Sequence, residues 1–149
     1  MNEPMDINSP LVTEQVMPCP VSQVWDALID ENKMRSWYFP QLVAFRPIVG
    51  FQFKFADDDV EFHKTWQVLE VVDKEKLAHS WTYQGYPGNS TVCFELMETG
   101  GGTKLRVTHT GIASFPNQPH FARARFEQGW QTILKKNLKL FLENEGCRG

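Results

Sequence analysis

The chain has 149 residues, of which 42% are hydrophobic and 22% charged, and its net charge is −3 at pH 7. This length predicts one domain with a sizeable core, and the acidic balance excludes a surface that tracks nucleic-acid phosphates. No segment has the pattern of a signal peptide or of a membrane span. We therefore expect a cytoplasmic protein that binds no nucleic acid.

The cysteine pattern favours neither a disulfide framework nor a zinc site. Cys19, Cys93 and Cys147 are odd in number and widely spaced. Cys93 shares parity with Glu95 on a predicted strand, which places it on the outer face as a small filler residue. The sequence accordingly predicts no metal and no cofactor.

The N-terminal part of the chain predicts a strand followed by two short helices. Residues 1–10 are polar and carry two prolines, so we expect a flexible leader before a single domain over residues 11–145. Leu11 to Met17 alternates as a strand does. After Pro20, apolar residues at helical spacing predict a first helix, and a second is expected over residues 33–38.

The middle of the chain has the two-residue period of β-strands. Its clearest part is a hairpin with arms Ser90–Glu98 and Thr103–Gly111, in which Val92, Phe94, Leu105, Val107 and His109 face inward by parity. Earlier strands are expected over residues 51–55, 62–72 and 77–83, with an acidic turn at Asp57–Asp59 and a bulge in the second of them. These strands form a sequential antiparallel meander.

From about Phe121 the period becomes helical. The apolar stripe predicts one long amphipathic helix, and the inner face of the sheet is the broad apolar surface left for it. Gly129 is expected to let this helix approach the sheet closely. The stripe consists of Phe126, Trp130, Ile133, Leu134, Leu138 and Phe141.

The order of these elements resembles the START-like superfamily of helix-grip, Bet v-type domains. Within it, the chain is most similar to the Activator of heat shock protein 90 ATPase homologue family. The resemblance covers roughly Leu11 to Glu143. The residues that carry it are Pro20, Val24-Trp25, Ala27-Leu28, Trp37, Val68-Leu69-Glu70-Val71, Leu77, Trp81, Ser90-Thr91-Val92, Phe94, Gly102-Thr103, Leu105, Val107-Thr108-His109, Gly111 and Gly129-Trp130.

The resemblance implies an α+β helix-grip fold. It has a curved antiparallel sheet of about six to seven strands wrapped around a long C-terminal helix, with two short helices after strand one. It also implies a deep apolar cavity between sheet and helix, but no single activity, since such domains include lipid carriers, ligand sensors, cyclases and a stress-response co-chaperone. That co-chaperone carries an additional N-terminal domain associated with ATPase stimulation, for which this chain is expected to have no room.

The predicted ligand-binding residues are mostly aromatic residues at inward-facing positions, which equally suit plain core packing. His109 is expected to be a wall histidine with a hydrogen-bonded partner, or to orient a ligand. His63 and His79 could face each other across a strand pair, but a third metal ligand is lacking. The predicted site comprises Trp37, Phe53, Trp66, Trp81, Tyr83, Phe94, His109, Trp130 and Leu134.

These observations favour a protein that binds a small hydrophobic or lipid-like molecule without changing it chemically. No catalytic residues are assigned, because no nucleophile–base pair stands out. One alternative is an enzyme of cyclase or hydratase type that uses His109 and Tyr83 as acid and base. Another is a chaperone-associated interaction protein, and the chain is expected to be a monomer or a homodimer.

Overall fold

The structure is a computed structural model that describes residues 9–56 and 63–147. It has an α+β fold with a large antiparallel sheet, two short helices after the first strand and a long C-terminal helix, as the sequence predicts, but the large sheet has five strands where about six to seven are predicted. The strands are β1 (Leu11–Met17), β2 (Leu42–Ala44), β3 (Lys54–Phe55), β4 (Val68–Val72), β5 (Lys76–Trp81), β6 (Ser90–Thr99) and β7 (Gly102–Thr110). The α-helices are α1 (Val21–Ile29), α2 (Glu31–Trp37), α3 (Arg123–Trp130) and α4 (Lys139–Asn144).

The strands form two sheets where the sequence predicts one. The large sheet has the order β1-β7-β6-β5-β4, while β2 and β3 form a separate pair. An antiparallel bridge between Gln52 and Gln67, flanked by backbone hydrogen bonds from Phe53 to Trp66 and from Val68 to Phe51, connects the chain before β3 to the start of β4. Gly50 precedes the short strand β3 and has a φ of 92°, which requires glycine. Regular strand pairing is interrupted here, and this interruption separates the two sheets.

The β6–β7 hairpin is the regular centre of the large sheet. Its register places Phe94 opposite Val107 and Val92 opposite His109, and Gly100 and Gly101 form the turn between Thr99 and Gly102. Burial alternates from Ser90 to Met97 in β6 and along β7, so one face of the hairpin belongs to the core. The inward face of this hairpin is therefore confirmed.

Strand β4 carries the irregularity that its imperfect alternation predicts. The register with β5 shifts between Val68 and Glu70, as a bulge does. The same register contradicts the expectation that His63 and His79 face each other. His79 lies opposite Val68 and is fully buried, whereas His63 is exposed and bonds through its carbonyl to Gln84.

The two short helices are locked to each other by side-chain hydrogen bonds. Asp30 ends α1 and caps α2, because its carboxylate accepts from the backbone N–H groups of Asn32 and Lys33. At the other end of α2, the indole N–H of Trp37 donates to the carbonyl of Ala27 at 2.8 Å. Trp37 is thereby a buried link between the helices.

The C-terminal helix runs without a break from Arg123 to Asn144, but its middle, Gln131–Leu138, is π-helical. It starts two residues later than predicted, after a 3₁₀ turn at Pro119–Phe121. The fully buried side chains recur at every fourth residue, whereas Ile133 and Phe141 of the predicted stripe are only half-buried. The buried series is Phe126, Trp130, Leu134, Leu138 and Leu142.

A four-residue spacing drifts by about 40° per step around a helix with 3.6 residues per turn. The wider π-helical turn offsets this drift and keeps the series on one side. The predicted stripe assumed α-helical geometry throughout, which explains why it included Ile133 and Phe141 and missed Leu142.

The expectation that the cysteines form no disulfide is wrong for two of them. Cys19, between β1 and α1, is bonded to Cys147, directly after the C-terminal helix, and their Cα atoms lie 5.4 Å apart. The two residues are separated by 128 positions, so no local sequence spacing could indicate the bond. Cys93 is a free, half-buried thiol whose pKa is raised, mainly by burial.

The flexible leader predicted over residues 1–10 lies mostly outside the described residues, as does the acidic turn at Asp57–Asp59. Ser9 and Pro10 are described, and their carbonyls accept from the guanidinium of Arg123. In the described part of the chain, no helix has the length and apolarity needed to cross a membrane.

Candidate ligand-binding site

A cavity of about 260 Å³ lies between α3 and the end of β5. Trp81 ends β5 and Tyr83 follows it, while Phe126, Gly129 and Trp130 come from α3. The remaining wall comes from segments with little regular structure, from Arg125 in the first turn of α3 and from the first turn of the π-helical segment. Among the described residues, the lining consists of Phe39, Lys64, Trp81, Tyr83, His120, Arg125, Phe126, Gly129, Trp130 and Ile133.

Aromatic contacts between helix and sheet form the inner wall of this cavity. The Trp81 ring lies 5.8 Å from the Trp130 ring and 6.0 Å from the Phe126 ring, centroid to centroid. The indole N–H of Trp81 donates to the Tyr83 hydroxyl oxygen at 2.8 Å, which fixes both side chains. The wall therefore combines three buried apolar rings with one phenol.

Gly129 contributes open space. A Cβ built at this position would meet no heavy atom within 4 Å, so the glycine is not required for close packing against the sheet. The expectation that Gly129 lets the helix approach the sheet closely is therefore wrong. The residue lies on the cavity wall instead, where the lack of a side chain leaves room.

Behind the cavity wall, His109 is held in one tautomer. The indole N–H of Trp130 donates to its Nδ1 at 3.1 Å, so the proton of the neutral ring is on Nε2. Nε2 then donates to the Ser90 hydroxyl at 3.0 Å, and that hydroxyl donates to the carbonyl of Trp81. Trp130 is thus fixed by a polar contact as well as by packing.

A second buried histidine is fixed in the opposite tautomer. Nδ1 of His79 lies 2.8 Å from the carbonyl of Ser80 and must donate to it. Its Nε2 is then an acceptor, and the Tyr38 hydroxyl donates to it at 3.0 Å. The Tyr38 ring also lies 6.0 Å from the Trp130 ring, so this pair supports the same wall.

Burial keeps both histidines and the tyrosine uncharged. Desolvation lowers the pKa of His79 to about 4, against the smaller opposing effect of its bond to Ser80. Desolvation, together with the neighbouring His79, lowers the pKa of His109 to about 3. The pKa of Tyr38 is raised well above its usual range, also by desolvation first. At neutral pH none of these groups is a ready proton donor or acceptor.

The structure brings three of the nine predicted site residues to the cavity: Trp81, Tyr83 and Trp130. The other six lie in the buried core around it, and Phe53 and Trp66 line a separate hollow of about 250 Å³. For these six a ligand-binding role stays a prediction. They are Trp37, Phe53, Trp66, Phe94, His109 and Leu134.

Three of the cavity residues that sequence analysis missed come from segments outside the regular helices and strands. Phe39 follows α2, Lys64 precedes β4, and His120 is in a 3₁₀ turn. No periodicity marks such positions, and their approach to α3 depends on tertiary packing. Four other missed residues lie on the predicted helix, where Phe126 and Ile133 belong to the predicted apolar stripe and had a signal that could have indicated them; the other two are Arg125 and Gly129.

The described side chains provide no metal centre and give no support to acid–base chemistry. Among residues 9–56 and 63–147, no three His, Cys, Asp or Glu side chains are grouped so that they could hold a metal ion. His109 has both ring nitrogens engaged, to Trp130 and Ser90, and does not line the cavity that Tyr83 lines.

A long helix packed on one face of an antiparallel sheet, with two short helices after the first strand, defines the helix-grip class of START-like domains. Within that class, the chain belongs to the family described as Activator of Hsp90 ATPase homolog 1-like protein, which it matches over residues 18–143.

Solved structures with the same fold come from bacteria and from a eukaryotic parasite. Protein MLL2253 from Mesorhizobium loti is 23% identical, with a TM-score of 0.72 over 91% of this chain and 98% of that one. CalU16 from Micromonospora echinospora is 25% identical, with a TM-score of 0.68 over 91% of this chain and 77% of that one. PFC0360w from Plasmodium falciparum, described as an HSP90 activator, is 18% identical, with a TM-score of 0.71 over 90% and 96%. No curated protein matches the chain significantly in sequence.

Proposed function

We propose that this protein binds a small hydrophobic or amphipathic molecule, without changing it chemically, in the cavity between α3 and β5. The observation that carries the proposal is Gly129, a helical residue that faces open space in a wall otherwise made of Trp81, Phe126 and Trp130. Aromatic walls with a few polar groups are typical of pockets for apolar ligands. Burial of apolar ligand surface there supplies about 25 cal/mol per Å².

The rigidity of the wall supports binding over catalysis. Trp130 is held by His109 and Trp81 by Tyr83, so both rings are fixed before a ligand enters. A wall that is already ordered loses little conformational entropy on binding. The neutral, fully bonded His109 has no role in moving protons at neutral pH.

The proposal is tested with a small neutral aromatic probe, 2-naphthamide, in isothermal titration calorimetry. We expect saturable binding with one site per chain. Gly129→Leu should abolish it, because the new side chain occupies the cavity. The matched control is Thr132→Leu, an exposed position of the same helix outside the lining, which should bind as the wild type does.

Two results would defeat the binding proposal. One is that the wild type binds neither 2-naphthamide nor its charged analogue 2-naphthoate saturably. The other is that Gly129→Leu, with an unchanged far-UV spectrum, binds the probes as well as the wild type. Either would mean that the hollow is not a functional pocket.

A chaperone partner is a second candidate function, because the family is described by its likeness to an Hsp90 ATPase activator. The test is the ATPase rate of an Hsp90-type chaperone from the same source with and without this protein. A saturable rise in the rate supports the candidate, and an unchanged rate together with no co-sedimentation rejects it.

We also propose that the protein is cytoplasmic. The Cys19–Cys147 bond allows a direct test of this proposal, because disulfides are rare in the cytoplasm. Cells are alkylated before lysis and the modified cysteines are counted by mass spectrometry. Three alkylated cysteines support a reducing compartment. Alkylation of Cys93 alone would place the protein in an oxidising one.

A further inference from the structure

We propose that the ligand carries an uncharged oxygen atom, such as that of a ketone, an ester or an alcohol, which accepts a hydrogen bond from the indole N–H of Trp66. This inference rests on the proposed binding function and adds the polar group of the ligand to it. The apolar body of the ligand lies in the cavity between α3 and β5, and the oxygen extends from it to Trp66.

The indole N–H of Trp66 is a buried donor without an acceptor. The residue is only 1% exposed, and its Nε1 has no hydrogen-bond partner in the part of the chain that the structure describes. By contrast, the indole N–H groups of Trp37, Trp81 and Trp130 each donate to an acceptor of the protein. A buried donor without a bond costs free energy, and nearly all buried polar groups in native proteins have a partner. We therefore expect the acceptor to come from a bound molecule.

Trp66 lies beside the space that a ligand would fill. Its ring centroid is 4.2 Å from that of Trp81 and 5.2 Å from that of Phe39, and both of these residues line the cavity. Trp66 itself lines the hollow of about 250 Å³, and Lys64 belongs to the linings of both spaces. A ligand in the cavity therefore needs only one short polar group to meet this indole.

The histidine beside Trp66 does not supply the acceptor. His79 stacks on Trp66 with 4.9 Å between the ring centroids, but its Nδ1 donates to the Ser80 carbonyl and its Nε2 accepts from the Tyr38 hydroxyl. Both ring nitrogens are thus engaged elsewhere. The ring of Phe53, 5.7 Å from that of Trp66, is apolar. An oxygen of the ligand would complete the hydrogen bonding of this cluster.

The surroundings of Trp66 favour an uncharged oxygen over a charged one. The indole packs against Phe53, Phe55 and Trp81, which form an apolar environment. A charged oxygen would lose its hydration among these rings at a far greater cost than a neutral oxygen does. The cavity volume of about 260 Å³ is below the ~300–1,000 Å³ typical of pockets for drug-sized ligands. The ligand class is therefore a small ketone, ester or alcohol with an apolar body.

The experiment compares 2-acetylnaphthalene with 2-isopropenylnaphthalene, which differ only in a carbonyl oxygen in place of a methylene group. Their dissociation constants are measured by equilibrium dialysis with the wild type, Trp66→Phe and Trp37→Phe. Trp66→Phe keeps an aromatic ring and removes the N–H. The matched control Trp37→Phe removes a buried indole N–H that already has a protein acceptor and belongs to neither lining. Binding of the alkene reports whether each variant has an intact cavity.

We expect the wild type to bind the ketone about fivefold more tightly than the alkene, as a single neutral hydrogen bond allows. Trp66→Phe should remove this preference and bind the alkene as the wild type does, whereas Trp37→Phe should keep the preference. Infrared spectroscopy of an isotope-labelled ketone gives a second measurement. Its carbonyl stretch should have a lower frequency in the wild type and Trp37→Phe than in Trp66→Phe.

Equal affinities of the wild type for the ketone and the alkene would overturn the inference and leave the binding function intact, with water as the remaining partner for Trp66. Binding of 2-naphthamide without binding of either of these probes would have the same meaning. The inference also fails if Trp66→Phe keeps the preference or the lowered carbonyl frequency, since the donor would then lie elsewhere. If none of the three probes binds the wild type, the binding function itself fails.

Discussion

Opening the Cys19–Cys147 bond should lower the stability of the folded protein substantially, and the size of the effect follows from the length of the loop that the bond closes. The two cysteines are 128 positions apart, so nearly the whole chain lies within the loop. In the chain-entropy description, closing a loop of this length restricts the unfolded chain by about 5 kcal/mol at 25 °C. For a chain of this size that corresponds to roughly 10–20 °C in Tm.

The bond also holds one end of the C-terminal helix. In the described part of the chain, an ion pair between Lys33 and Glu145 at 3.1 Å also links this end of the helix, and both side chains are partly exposed. Such pairs contribute little, about 0–1 kcal/mol. With the bond open, amide exchange should therefore increase first in α4, where the buried Leu142 is the main remaining anchor.

The assay is thermal unfolding by calorimetry of the wild type with and without reductant, beside Cys19→Ala/Cys147→Ala. The matched control is Cys93→Ala, which removes the unbonded thiol. The reduced wild type and the double variant should melt at similar, lowered temperatures, and the control should stay near the oxidised wild type. The reasoning would be refuted if reduction exposed two further thiols without lowering Tm, or if the oxidised protein showed three thiols in denaturant.

Four further predictions concern the core and the cavity wall. Trp130→Ala should cost about 3–5 kcal/mol in urea denaturation, whereas Trp130→Phe should cost less, chiefly through the donor lost to His109. Wild-type stability of Trp130→Phe would contradict the hydrogen bond's role, and equal losses in the two variants would contradict the role of packing. The pKa values of His79 and His109 are depressed to about 4 and about 3. The contribution of these two histidines to folding stability is therefore complete above pH 6.5 and is lost as the pH falls. Below pH 6.5, each histidine should lower the free energy of unfolding by up to about 1.4 kcal/mol per pH unit. Unchanged stability between pH 7 and 4.5 would disprove this prediction. Gly129→Ala should raise stability by about 0.5–1 kcal/mol, while Gly111→Ala should lower it because φ there is 84°; denaturation curves of both variants check the signs. Prolonged chelation should leave Tm unchanged, and a large drop with recovered metal would contradict a metal-free fold.

The strands and short helices could be predicted because their local pattern matches their tertiary role. β1 and α1 have the bounds that alternation and helical spacing indicate, and the β6–β7 hairpin buries the face that parity assigns to it. In these elements one face is buried along the whole length, so the apolar or polar character of each residue indicates whether it lies on the buried or the exposed face.

The disulfide and the polar contacts of the core could not be predicted, because each joins residues far apart in the chain. Cys19 meets Cys147, and Tyr38 meets His79 across 41 positions, only after the sheet and the C-terminal helix have packed. The register that places His79 opposite Val68 also depends on the bulge in β4, whose position the alternation indicated only loosely. Sequence spacing carries no signal for such pairs.

Part of the candidate cavity could not be predicted for the same reason. Trp81 and Tyr83 were found from strand parity and Trp130 from helical spacing, while Phe39 and Lys64 come from irregular backbone and were missed. Large aromatic residues also fill cores, which is why residues such as Phe94 were included among the predicted ligand contacts yet lie in packed surroundings.

The π-helical stretch Gln131–Leu138 has a consequence for how the length of this helix can vary between relatives. In a purely α-helical frame, the five buried positions at four-residue steps would spread over about 160°. Loss of one exposed residue within the stretch, such as Lys135, would bring the last two positions back by about 100° and gather all five within about 80°. The C-terminal helix could then become α-helical throughout while the same side chains meet the sheet. We therefore expect aligned sequences to differ by a one-residue gap in the middle of this helix. Such a gap changes the helix type and preserves the core.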